Sequence, residues 1–110
     1  MGGPAINSTT LIPAPAVVES VAEQFGLSVL DLRGARVSQS LTRARQIAAV
    51  LMTEFTLLSQ VEIGVALGRR SATAGRSLLA GGTKMRGDDE RFRAALEQSR
   101  QRLLQGFHGV

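Results

Sequence analysis

A chain of 110 residues with 44% hydrophobic side chains can bury one small core, and with four Phe and no Trp or Tyr that core must be aliphatic. The absence of Cys excludes disulfides and thiolate chemistry, the lone His108 lacks the partners a catalytic or zinc-binding His needs and reads as a tail residue, and the shortage of aromatics argues against base-stacking readers of single strands. The net charge of +4 is modest but uneven: residues 33–87 hold nine bases against Glu54 and Glu62, residues 1–32 carry acids alone and residues 88–110 cancel, a distribution expected of a phosphate-binding face.

Residues 1–13 are rich in Gly, Pro and Thr and lack periodicity, so they are expected to form a flexible arm ahead of a helical domain over residues 14–110. No targeting segment is visible, Ile6 breaks the myristoylation pattern opened by Met1-Gly2, and the longest apolar run, Ile47 to Met52, is far short of a membrane span. A cytoplasmic protein without membrane contact or small-molecule substrate is the expectation.

Pro15 suits the first turn of a helix in which Val17, Val21 and Phe25 repeat every four residues beside Val18 and Ala22, and Gly26 suits its left-handed end. Ser28 opens a short helix with Asp31 in its first turn and Gly34 at its end. The polar, basic stretch Arg33 to Gln39 reads as a loop. Ser40 or Leu41 is expected to open the longest helix, running to about Phe55, with Ala44, Ile47, Ala48, Leu51 and Phe55 on one face and Val50 at its edge. Arg43, Arg45 and Gln46 lie in its first turns, where bases oppose the helix dipole, so they read as aimed at a phosphate.

Ser59 and Glu62 have the spacing of a capping box, and a short helix should follow through Leu67. Gly68 breaks it, Arg69 and Arg70 occupy the turn, and Ser71 can cap a helix carrying Thr73, Arg76, Leu78 and Leu79 until Gly81-Gly82 stops it. This is the outline of a helix-turn-helix over 59–80, whose second helix would present Arg70, Ser71, Ala72 and Thr73 to base edges in the major groove of double-stranded DNA, flanked by Arg69 and Arg76. Asp88 is expected to cap a final helix to about Gln105, with Phe92, Leu96 and Leu103 on one side and Ala95 and Ser99 between them. The acids Asp88, Asp89 and Glu90 are explained by the helix dipole rather than by a catalytic pair. No metal-ligand spacing, phosphate cradle or nucleophile constellation occurs, so no cofactor and no enzymatic activity are expected. The fold class is all-α, a compact bundle of about six helices.

The assembled pieces resemble the C-terminal DNA-binding domain of the bacterial replication initiator DnaA. They are Val21-Ala22-Glu23-Gln24-Phe25-Gly26-Leu27-Ser28-Val29, Asp31-Leu32, Arg43-Ala44-Arg45-Gln46-Ile47-Ala48, Leu58-Ser59 with Glu62-Ile63-Gly64, Leu67-Gly68, and Arg70 with Thr73. The resemblance implies a Trp-repressor-like helical domain. It makes Arg45 and Gln46 phosphate contacts, places Arg70 and Thr73 at the major groove, and puts Arg36 in a basic loop that reaches the minor groove. Three departures stand out. Ala35, Val37 and Gln39 occupy loop positions where the family has bases. Ser71 and Ala72 replace an Asp-His pair that reads bases. Gly75 replaces a usual Val and lowers helix propensity. Altered sequence specificity in a replication or transcription regulator is therefore expected. The alternative is a protein-interaction module that kept the fold and lost the reader, using the final helix to meet a second copy or a replication-protein partner.

Overall fold

The computed structural model describes residues 11–107 and forms six helices: α1 Ala14–Gln24, α2 Val29–Arg33, α3 Gln39–Phe55, α4 Gln60–Ala66, α5 Ala72–Asp88 and α6 Glu90–Phe107. There is no strand among the described residues. A radius of gyration of 13.5 Å is that of a folded domain of this size.

Local chemistry sets most of the helix starts. The hydroxyls of Ser28, Ser38, Ser59 and Ser71 accept from the backbone N–H groups of Asp31, Leu41, Glu62 and Ala74 at 3.0–3.2 Å. Asp31 and Glu62 answer by accepting from the Ser28 and Ser59 backbone N–H groups at 3.1 and 2.8 Å, completing two capping boxes. Each such serine is worth about 1 kcal/mol. The start of α3 is therefore one or two residues earlier than its sequence suggests, because Ser38 supplies the cap. At the start of α6 the cap is Asp89, accepting from the Phe92 N–H at 3.1 Å, while Asp88 closes α5 and pairs with Lys84 at 2.7 Å.

Helix α3 is the centre of the core. Ala44, Ile47, Ala48, Ala49, Val50, Leu51 and Met52 are all buried, so the helix is covered nearly all round instead of along the single face its periodicity suggested. Helices α1, α5 and α6 surround it, contributing Val17, Val18, Val21 and Ala22 from α1 and Phe92, Leu96 and Leu103 from α6. The apolar face of α6 is thus consumed inside the fold, which removes it as the docking surface proposed for a partner. Ser99, buried on the same face, donates to Gln24 Oε1 at 2.6 Å. At the rim, Arg100 makes two 2.7 Å bonds to the Glu54 carboxylate.

Two expectations of length fail, the first for a packing reason. Gly81-Gly82 does not stop α5, which continues for a total of seventeen residues. A Cβ on Gly82 would lie 2.8 Å from Val50 Cγ2 and 3.0 Å from the Gln46 carbonyl, so the small residues let α5 press against α3. That contact offsets the roughly 1 kcal/mol of helix propensity each glycine costs. Helix α3, also seventeen residues, is not the longest helix; α6 has eighteen. Within the expected arm, residues 1–10 lie outside the described residues, as does His108. Ile12, however, is buried and donates its N–H to the Phe55 carbonyl at 2.8 Å, so the core begins before α1.

Candidate nucleic-acid interface

Helices α4 and α5 are joined by a turn that Gly68 makes possible, and they cross where two further glycines meet. Gly68 has φ +76°, a left-handed conformation, and a Cβ there would stand 2.0 Å from the Arg33 carbonyl oxygen. Where the helices cross, a Cβ on Gly64 would lie 2.8 Å from the Gly75 Cα, and one on Gly75 would lie 2.6 Å from the Gln60 carbonyl. Gly75 is therefore buried at the contact that sets the helix-turn-helix angle. Its propensity penalty is real, but its role is to admit α4.

The tip of α5 is open. Arg70, Ser71, Ala72 and Thr73 are exposed, and Arg76 and Ser77 continue the exposed surface one turn on. Ala80, Thr83 and Lys84 extend it along the longer helix. Arg70 and Arg76 make no ion pair among the described residues. The free N–H groups of the first turn carry the positive end of the helix dipole, so the tip favours an anionic surface.

The loop between α2 and α3 lies beside this tip. Arg36 is 79% exposed and only loosely paired with Asp31, at 3.8 Å. The Asp31 carboxyl is held below the usual carboxylate range by the Ser28 backbone N–H first, then the Ser28 hydroxyl, with Arg36 adding a smaller attraction against a small desolvation penalty. Between loop and tip is an open cleft of about 440 Å³, with Arg33, Gly34 and Ala35 on one wall and Gly68, Arg69 and Arg70 on the other. Arg33 is exposed on this cleft; the sequence places it in the loop, whereas it forms the final turn of α2. Its nearness to Arg70 depends on how Gly68 packs.

The first turns of α3 divide their side chains three ways. Arg43 is partly exposed and loosely paired with Asp89 at 3.8 Å. Gln46 is half-buried, its amide packed against Gly81 where α5 crosses α3. Arg45 is turned inward and only 2% exposed. Its Nε donates to the Leu32 carbonyl at 2.8 Å, and its Nη2 donates to the carbonyls of Asp31 and Gly34 at 2.9 and 3.0 Å. Burial lowers its pKa from the ordinary arginine value, and the neighbouring Arg69 charge lowers it further. Arg45 is thus placed as a cap on the C-terminal carbonyls of α2, not as an outward phosphate contact.

Arg69 is also drawn in. Its Nε donates to the Leu67 carbonyl at 3.1 Å, and its Nη2 reaches the carbonyls of Gly34 and, at 3.4 Å, Arg33. Of the ten residues singled out by sequence, Arg36, Arg70, Ser71, Ala72, Thr73 and Arg76 are exposed. Arg43 and Gln46 are partly so, and Arg45 and Arg69 hold backbone.

No group of three or more potential ligands among the described residues could hold a metal, and none of their helices is long and apolar enough to cross a membrane. A family model described as the bacterial dnaA protein helix-turn-helix matches residues 15–76, from the start of α1 into the second turn of α5.

Proposed function

Because the chain belongs to the bacterial DnaA helix-turn-helix family, a family of DNA-binding modules, we propose that it binds double-stranded DNA with the N-terminal turn of α5 in the major groove and the Arg36 loop on the adjacent minor groove. The observation that carries this reading is the exposed run Arg70 to Thr73 at a helix N-terminus, set beside an exposed basic loop across one cleft. Arg70 is the bidentate base reader, Thr73 and Ala72 offer methyl groups to thymine, and Arg33, Arg36, Arg43 and Arg76 face phosphates. With Ser71 and Ala72 where an Asp-His pair is usual, the sequence read differs from the family's ordinary box, in keeping with a regulator of replication or transcription.

Fluorescence anisotropy with labelled duplex tests the reading. With about four phosphates neutralised, log affinity falls against log salt with a slope near −4. A selection of bound duplex from a random pool should return one motif. No binding at low salt, or a signal indifferent to salt, overturns the proposal.

A further inference from the structure

The peptide carbonyl of Gly34 accepts from two guanidinium groups that arrive from different elements, Arg45 from α3 and Arg69 from the turn between α4 and α5. The same turn packs Gly68 directly onto the Arg33 carbonyl, which Arg69 also touches. Arg45 alone already satisfies the buried end of α2: it reaches three carbonyls, including that of Gly34. Arg69 is half-exposed, adds a second positive charge beside the first, and could leave without stranding the Gly34 oxygen. Its contacts are therefore redundant for holding α2, and the like-charge approach counts against stability.

What Arg69 adds is a side-chain tie from the helix-turn-helix to the Gly34 carbonyl at the start of the loop. Arg36 follows Gly34 by two residues, so its Cα lies within about 7 Å of the clamped peptide, and Arg70 is the next residue after Arg69. Resting on the reading of the protein as a duplex binder, we propose that Arg69 is a positioning residue that locks the Arg36 loop to the tip of α5, so that minor- and major-groove contacts are made as one rigid unit. Two contacts made by one preorganised body avoid the ordering cost that a free loop adds on binding.

The test compares Arg69→Met and Arg69→Lys with the unaltered chain. Both variants should leave the thermal midpoint little changed, because Arg45 still holds Gly34 and relief of the like-charge approach offsets the lost Leu67 contact. Both should bind the selected duplex about tenfold more weakly, since neither side chain can bridge the carbonyls as guanidinium does. The loss should vanish in an Arg36→Ala background and persist in an Arg76→Ala background. In the protein without DNA, backbone NMR order parameters at residues 35–37 should fall in Arg69→Met.

A direct phosphate contact gives a different pattern: Arg69→Lys binds nearly normally, the salt slope falls by about 0.9 in Arg69→Met, and the losses with Arg36→Ala simply add. That pattern, or unchanged order parameters at residues 35–37, overturns the inference while the proposed function stands. If the unaltered chain binds no duplex, the proposed function falls, and the coupling of grooves with it.

Discussion

Gly64 of α4 and Gly75 of α5 meet with no side chain between them, so close that a Cβ on the first would lie 2.8 Å from the Cα of the second. This contact fixes the crossing of the two helices, and through it the direction in which Arg70 and Thr73 point.

Substituting Gly75 with Ala gains about 1 kcal/mol of helix propensity but drives a Cβ to 2.6 Å from the Gln60 carbonyl. Backbone on both sides must move, at a cost of about 1–3 kcal/mol. Gly75→Ala should therefore destabilise by about 1 kcal/mol net and weaken duplex binding, read from urea unfolding and anisotropy. Gly87→Ala, also in α5, meets nothing within 4 Å and should stabilise by roughly 0.5 kcal/mol. Equal effects at the two positions would show that the helices do not need the close approach.

Arg45→Met keeps the aliphatic stem and removes the guanidinium from the carbonyls of Leu32, Asp31 and Gly34. Only the Leu32 carbonyl is then left without a donor, since Asp31 keeps the Gly34 N–H and Gly34 keeps Arg69, so unfolding free energy should drop by about 1–3 kcal/mol. A side chain that served only as a phosphate contact would leave stability within about 0.5 kcal/mol while weakening binding to every duplex alike. Denaturant unfolding separates the two.

Arg70→Ala should cost about 1–3 kcal/mol on the selected duplex and relax its preference at one base pair. Arg76→Ala should weaken all duplexes evenly and flatten the salt slope by about 0.9. Competition against single-base variants of the selected site checks both; a uniform loss for Arg70→Ala would move that residue from the base edge to the backbone.

Three capping carboxylates give the fold a defined acid sensitivity. The pKa values of Asp31, Glu62 and Asp89 are lowered chiefly by the backbone N–H groups of Ser28, Ser59 and Phe92 respectively. Because the folded values lie below the unfolded ones, near 4, the stabilisation is complete above that range and is lost as pH falls through the lowered values. Urea midpoints should hold steady from pH 7 to about 5 and decline below about 4. Glu62→Gln should make the decline shallower; an unchanged acid limb would remove Glu62 from the account.

What local chemistry can specify is readable from the chain alone. Ser28, Ser59 and Ser71 cap the next few residues of their own segment, Gly26 and Gly68 supply left-handed turns, and the bases gather between Arg33 and Arg86. These interactions span three or four residues, so helix count, the helix-turn-helix outline and the exposed tip Arg70 to Thr73 were legible. The tertiary structure decided what depends on approach between distant elements. Arg45 and Arg43 are two residues apart on one helix, yet only Arg45 is buried, because the carbonyls of α2 happen to end over its face. Gly81-Gly82 reads as a stop until α3 packs against it, after which the lost propensity is offset and α5 runs on to Asp88. Gly75 reads as a weakness until Gly64 lies against it. A residue's local preferences fix its own backbone, but whether a charge faces solvent or a carbonyl, and whether a missing side chain is a defect or a fit, is set by the neighbour that folding brings to it.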